Sequence, residues 1–365
     1  MTTVKKKILF VAPYPIDKAP SQRLKYEQYY PYFQQAGYEI TTSSFMDMSF
    51  WNVVYKHGFL FRKVLHTLLG YLRRVKDLLL IRRYDIVYIH LWVTPFGLPF
   101  FEWLYCFFAK QVIYDIDDMI FLGHSSSANK KSQFLKGKAK AIYLMKKAGH
   151  IITCTPLLDK FARQYNNNTT DISSTINTEV YKPRTNYDLS TKPVLGWSGS
   201  ISTSKYVYLL KDVFLELKKK FDFTVLVIGN PDIKIEGVDI VAVPWKNETE
   251  LPDLMKIDIG MYPLPDEPWV YGKSGLKALQ YMALGIPTVA SAIGANFRII
   301  NTGQNGFLVK DNAEWVDALS KLLQDAALRQ NLGKAGRVTV EEHFSLHANK
   351  DKYLKAMEAL VSALK

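Results

Sequence analysis

The chain predicts an α/β protein built from two doubly wound, Rossmann-like domains that face a central cleft. Three observations carry this. The 365 residues suffice for two domains with buried cores. Short runs rich in Val and Ile alternate with helical patterns along the whole chain, the pattern of parallel sheets covered on both faces. A polar, proline-containing stretch, KPRTNYDLSTKP at 182–193, divides the pattern in two.

In the first half, strands are expected at KKILFVA, YEITTSS, DIVYIHL, QVIYDID and HIITCTP. The second half offers PVLGWSG, FTVLVIG, VDIVAVP, DIGMYPL, IPTVASA and GFLVK. The domains expected are 1–185, joined by a closing helix at about 347–365, and 190–346. Ligands of such sheets bind beyond the carboxyl ends of the strands.

Composition narrows the partners. Apolar residues at 48% and charged residues at 22% are ordinary for a globular protein, whereas a net charge of +13 favours anionic partners. Cys106 and Cys154 are too few for a disulfide framework, which fits a reducing compartment. The opening MTTVKKKILFVAPYP enters a strand pattern too soon for a signal peptide. The apolar stretch Ile86–Ala109 is broken by His90, Pro95, Gly97, Pro99 and Glu102, so it reads as strand, turn and aromatic helix, not a membrane span. Residues 56–83 mix Phe, Leu and Tyr with Arg62, Lys63, Arg73, Arg74, Lys76, Arg82 and Arg83. Two readings stand level: a helix lying on an anionic membrane surface, and a surface helix with a solvated basic face.

The most informative stretch is YGKSGLKALQYMALGIPTVAS, from Tyr271 to Ser291: loop, short helix, tight turn, buried strand. Lys273 and Ser274 are expected at the helix start, where N–H groups and a cation can meet an anion. Gly275 leaves room for close backbone approach. At roughly 100° per residue, Lys273, Lys277, Gln280 and Leu284 share one helical face, expected to meet ligand, and Leu276, Leu279 and Ala283 share another. After the strand PVLGWSG, the residues Gly199, Ser200 and Lys205 can bring backbone, hydroxyl and charge to a phosphate, without Walker A spacing. Asp266, Glu267, Trp269 and Tyr271 stand on the approach to the helix.

In the first half, the loop with Ser21, Gln22, Arg23 and Lys25 follows the first strand and lacks G-x-G-x-x-G, which tells against a dehydrogenase. The strand VIYDIDD ends in Asp115, Asp117 and Asp118; alternation sets Asp115 and Asp117 on one side. Such a cluster calls for a base, substrate hydroxyls or a metal, or else caps the next segment. His90 is a lone histidine, expected as a core or rim residue.

Residues 194–344 resemble the donor domain of family 4 glycosyltransferases, the group 1 enzymes of GT-B fold, through GWSGS…K, DIGMYPL, KALQYMALGIPTVAS and IGANFRIINTGQNGFLVKDNAEW. INTEVYKP resembles that family's domain junction, and SQRLKYEQYYPYFQQAGYEI follows its first domain more loosely. The family marks its donor site with two glutamates eight residues apart; here Gly272 and Gln280 occupy those positions, which makes the chain a divergent member. The phosphate-binding arginine and lysine correspond to Ser200 and Lys205, and the first-domain histidine to the DIDD cluster.

The resemblance implies a retaining hexosyltransferase-type enzyme that uses a UDP- or GDP-type sugar, with no cofactor or resident metal, on a hydroxyl acceptor. The acceptor is expected to be lipid-linked or a surface polysaccharide of capsule, lipopolysaccharide or O-antigen type. The expected setting is the cytoplasm, peripheral to the inner face of the membrane through 56–83. Catalysis is assigned to Asp115, Asp117, Lys205 and Lys273. Donor binding falls to Gly199, Ser200, Lys205, Glu267, Lys273, Ser274, Gly275 and Gln280. Three rivals stay open: a non-catalytic nucleotide-sugar or polysaccharide binder, a metal-dependent transferase using Asp115 and Asp117, and a nucleic-acid binder. The last lacks a recognised module, so nucleic acid is not an expected partner.

Overall fold

The computed structural model describes residues 5–117, 138–189 and 191–364. They form two compact units: Met1–Ser174 with Asn349–Lys365, and Thr175–Ala348. Asp118 of the aspartate cluster lies outside the described residues.

The first unit holds a six-stranded parallel sheet of β1 (Lys6–Ala12), β2 (Tyr38–Ser44), β3 (Ile86–His90), β4 (Val112–Asp115), β5 (His150–Thr153) and β6 (Thr169–Asp171), ordered β2-β1-β3-β4-β5-β6. The five strands expected from the sequence are all present. The sixth, Thr-Thr-Asp, is a polar edge strand without the apolar run that signals a buried one. Alternation sends Leu9, Val11, Val87 and Ile89 into a core on one face that they share with Tyr105 and Tyr114. The other face is aromatic: Phe10 lies against Tyr26 and Tyr88, with ring centroids 5.4 and 4.7 Å away. The helix Leu346–Ser362 returns to close that face, its Tyr353 ring 4.7 Å from Tyr29. Ring packing of this kind draws the last helix back to the first sheet.

The second unit has β7 (Val194–Ser198), β8 (Thr224–Ile228), β9 (Ile240–Val243), β10 (Ile259–Tyr262), β11 (Thr288–Ser291) and β12 (Phe307–Val309), ordered β12-β11-β10-β7-β8-β9 and parallel throughout. Leu195, Trp197, Val225 and Val227 face one core; Leu226, Ile228, Tyr262 and Ala290 face the other. Segment 182–193 belongs to this unit. The Arg184 amide donates to Leu284 O at 2.9 Å and its guanidinium to Ile257 O at 2.5 Å. Gly333 leaves the space that the Tyr187 ring fills, since a Cβ there would stand 2.5 Å from it.

The basic stretch forms one helix, Leu60–Leu80, and its polar side is turned toward the protein. Gly70 lets the helix touch the Phe45 ring, where a Cβ would lie 2.6 Å from the ring edge. Arg74 is fully buried and donates to Val93 O (2.8 Å), Ser43 O (3.0 Å) and Ala12 O (2.8 Å). These carbonyls belong to chain segments at the ends of β1, β2 and β3, so one guanidinium gathers three segments. No described helix is long and apolar enough to cross a membrane. Replacing Arg74 with Leu leaves those acceptors buried without donors; urea unfolding is expected to show a loss on the order of 3 kcal/mol or more.

Candidate active site

In each sheet the chain starts in the middle and then adds strands on both sides, which creates a switch point where loops part and ligands bind. That point lies between β1 and β3 in the first unit, and between β7 and β10 in the second.

At the first switch point the charged side chains are turned inward. Register pairs His90 with Asp115. Lys25 reaches Asp115 Oδ1 in a fully buried ion pair. The Tyr88 hydroxyl donates to Oδ2 at 2.8 Å, and His90 Nδ1 lies 3.1 Å from the same atom. Burial disfavours the charged Asp115, but the Lys25 charge and the His90 contact outweigh it and hold the carboxyl below its ordinary range. Burial likewise opposes the charged Lys25, and Asp115 with neighbouring charges reverses the balance upward. Gln22 is also buried, bonded to Tyr14 and Glu27, so the first loop is braced by its own polar residues.

The expectation that Asp115 meets an acceptor is therefore corrected. Both oxygens are engaged by donors and nothing of the side chain reaches solvent. A cation does not fit between oxygens already held by Lys25, Tyr88 and His90, which tells against the paired-aspartate metal reading. Asp117, two residues on, is half-buried at the strand end.

At the second switch point, β7 ends in Ser198, and the loop after it meets the loop after β8 backbone to backbone. Gly229 takes φ +136°, and a Cβ there would stand 2.0 Å from Gly199 O. Ser200 is exposed, its hydroxyl 3.0 Å from Thr203 Oγ1. Lys205 follows on the short helix Ser204–Leu210, exposed and 5.6 Å from the Tyr206 ring centroid. Tyr206 lies 5.9 Å from Trp269, and Lys273 sits 4.6 Å over the opposite part of this ring pair, above Trp269. Two cations expected at the donor site, Lys205 and Lys273, are thus carried by one pair of aromatic rings. Glu267 braces Trp269 by accepting from its indole N–H. Burial and the Glu267 charge push the Tyr206 hydroxyl up to about 12.

The helix itself runs Leu276–Ala283 and is capped by Gly275 at φ +75°. Lys273 and Ser274 precede it instead of sitting on its first turn. A Cβ at Gly275 would stand 2.3 Å from Ile299 Cδ1, so the glycine serves both the left-handed cap and close packing. The face expected to meet ligand is largely internal. Gln280 is fully buried, its Oε1 accepting from Lys277 at 2.9 Å and its Nε2 donating to Tyr181 OH at 2.8 Å and Glu250 Oε1 at 3.1 Å. Trp245 donates to the same Glu250 oxygen at 3.1 Å, and Lys277 reaches Ser198 Oγ at 3.4 Å.

Sequence reasoning did not identify Glu250, Tyr181 or Trp245. The only local signal is an acidic residue six positions after VDIVAVP ends, which many surface loops share. The network explains why position 280 carries an amide: a carboxylate there would face Glu250 across 3.1 Å with no donor between them.

Gln280→Glu is accordingly expected to lower stability by about 1–3 kcal/mol at pH 7. Its carboxyl, or that of Glu250, would be raised in the folded state, so the loss should shrink as pH falls through that raised value. Thermal melts at pH 7 and pH 5 check this, and Glu250→Gln in the same chain should restore much of it. Asp115→Asn strands a buried lysine and is expected to cost about 3–5 kcal/mol. Asp115 has a lowered folded value, so its contribution is present above about pH 4 and lost as pH falls through the folded value. Lys25 has a raised value, so its contribution is lost only as pH rises above the ordinary lysine range. Urea midpoints of the native chain should therefore carry no dependence from this pair near neutrality.

Comparison with known proteins agrees with this architecture. Residues 192–325 match the family model described as Glycosyl transferases group 1. A D-inositol 3-phosphate glycosyltransferase of Corynebacterium jeikeium is 36% identical over 126 residues, which cover 34% of this chain and 22% of that protein. An N-acetyl-alpha-D-glucosaminyl L-malate synthase of Bacillus anthracis is 35% identical over 72 residues, 19% of each chain. The matched stretches span about a fifth of these relatives. Sucrose-phosphate synthase from Thermosynechococcus elongatus superposes with a TM-score of 0.72 at 16% identity, covering 98% of this chain and all of that one. Anabaena HepE, solved with UDP and glucose, gives 0.70 at 15% identity, covering 97% and 100%. Residues 192–325, within the second unit, are thus similar to the group 1 glycosyltransferases, and the two parallel six-stranded sheets have the GT-B fold.

Proposed function

We propose that the protein transfers a sugar from a UDP- or GDP-type nucleoside diphosphate sugar to a hydroxyl acceptor. The observation that carries this is the pair of cations, Lys205 and Lys273, held on the adjacent, mutually tilted Tyr206 and Trp269 rings just ahead of the glycine-capped helix. As the acceptor oxygen bonds to the anomeric carbon and the bond to the diphosphate breaks, negative charge gathers on the departing phosphate oxygen. Lys205, Lys273, the Ser274 hydroxyl and the first-turn amides after Gly275 stabilise that charge. Gly199 and Ser200 border the same switch point and let the diphosphate approach the backbone.

Asp117 takes over the acceptor-side role expected of both aspartates: it positions the hydroxyl and receives its proton or passes it to the leaving phosphate. Asp115 and Lys25 hold the strand end beneath it. Retention follows from attack on the face that the diphosphate leaves. Gln280 contributes through the Glu250 network instead of by touching ribose.

The acceptor in this reading is lipid-linked or a surface polysaccharide, with the enzyme on the cytoplasmic side of a membrane. HepE structures hold UDP and UDP-glucose, which supports a nucleotide-sugar donor here. The replacement of both family glutamates, at Gly272 and Gln280, favours a second reading as a nucleotide-sugar binder without turnover.

A thermal-shift panel of nucleoside diphosphates and their sugars separates these. One base series should stabilise the protein by about 2.7 kcal/mol at a hundred times its Kd. Lys273→Ala should weaken that binding about tenfold, far more than Lys277→Ala, each read against the variant's own baseline. Stabilisation by no nucleotide overturns the proposal. Stabilisation without release of free nucleotide, with or without lipid acceptors, selects the binder.

A further inference from the structure

The helix Leu60–Leu80 is amphipathic in reverse. The middle of its polar arc faces the protein: Arg74 is buried, and Arg73 donates to Phe45 O at 2.7 Å and to Asp47. Its apolar residues face outward. Phe61 is 80% exposed, Leu72 63% and Leu79 81%, with Leu65, Leu68 and Val75 exposed between them. At roughly 100° per residue these six fall within about a third of a turn, so they form one stripe some 30 Å long. A water-facing helix of a monomer carries the opposite arrangement, and an outward apolar stripe of this length marks a contact with something apolar.

Its neighbour continues the pattern. The helix Phe100–Phe108 exposes Phe100, Trp103 and Phe107. The two helices are tied by Tyr71 against Phe101, at 5.5 Å between ring centroids, and by Arg82 over Phe108 at 5.7 Å. Charge indicates what the stripe meets. Arg62, Lys76, Arg82 and Arg83 are exposed along the helix and at its end. Asp77, the one acidic residue of 60–83, is drawn inward to Arg74 at 3.2 Å and Ser43 at 2.5 Å. An outer face with apolar side chains, aromatic rings and cations, and no carboxylate, complements a bilayer with anionic headgroups. A second copy of the chain would oppose the same cations to each other.

We propose that the outward face of Leu60–Leu80, with Phe100–Phe108 beside it, docks the first unit on an anionic bilayer. The helix lies in the plane of the interface, its apolar side chains among the acyl chains and its cations at the phosphates. This deepens the lipid-linked acceptor reading and rests on it for its purpose, but the geometry does not require turnover.

Vesicle sedimentation of the full chain, without donor or acceptor, tests docking separately from catalysis. Vesicles of phosphatidylcholine with phosphatidylglycerol should pull down the protein, pure phosphatidylcholine vesicles much less. Leu68→Glu with Leu72→Glu should reduce partitioning at least tenfold at an unchanged melting temperature, since both sites are already exposed. Arg62→Ala with Lys76→Ala should reduce it about fivefold per residue at low salt, and less at high salt. Equal partitioning of native and glutamate variants overturns the proposal, as does a failure to bind the anionic vesicles. A native dimer that the glutamate variant dissolves, with no vesicle binding, assigns the face to a second copy and also overturns it.

Discussion

A charge inside a protein is tolerable only when matched, because the interior cannot solvate it. That constraint organises both units. In the first, Asp115 and Lys25 neutralise each other beneath the switch point, and Tyr88 and His90 take up the remaining lone pairs. The Arg74 guanidinium meets three carbonyls from the ends of neighbouring strands. In the second, Glu250 is held by an amide, an indole and a phenol. Each match ties together chain segments far apart in sequence, so the loops that frame the sites are set by buried polar contacts as much as by apolar packing.

Matching also sorts the candidate residues by function. A side chain whose every polar atom is engaged internally has nothing left for a ligand, whatever its position suggests. Lys25, Asp115 and Gln280 are of this kind. Lys205 and Lys273 are not: each rests against an aromatic ring, a contact that leaves the ammonium able to donate to a ligand. Exposure also changes within the aspartate cluster, where two residues of separation move a carboxylate from full burial at Asp115 to partial exposure at Asp117, beyond the strand end.

The fold was legible in the sequence because parallel strands buried on both faces must be apolar throughout. Most strands announced themselves that way; the polar edge strands Tyr38–Ser44 and Thr169–Asp171 carry no such run, and the second, only three residues long, left no pattern to read. The neighbourhood of the candidate donor-side residues was legible for a related reason: the glycines, hydroxyls and lysines after β7 and before Leu276 follow strand ends, where chemistry collects in these folds. What was not legible was direction. Period-two alternation sets Asp115 and Asp117 on one side, yet it cannot tell that Lys25, ninety residues earlier, arrives to neutralise Asp115. Helical periodicity sets Lys277 and Gln280 on one face, but the partner that turns this face inward is Glu250, at the start of another helix.

The helix Leu60–Leu80 shows the same limit most sharply. Periodicity divides it into an apolar and a polar arc without saying which is inside, and the ordinary assumption buries the apolar one. Two residues reverse that assumption. Gly70 lies in the polar arc and is the point where the helix comes close enough to meet Phe45, while Arg74, one turn on, finds backbone carbonyls that no apolar side chain could satisfy. Turning the helix about its axis would place the leucines against those carbonyls and leave them unpaired, at a cost of about 1–3 kcal/mol for each. The outward apolar stripe is therefore enforced by the inward polar one, and the apolar surface that results is as much a product of the fold as either core.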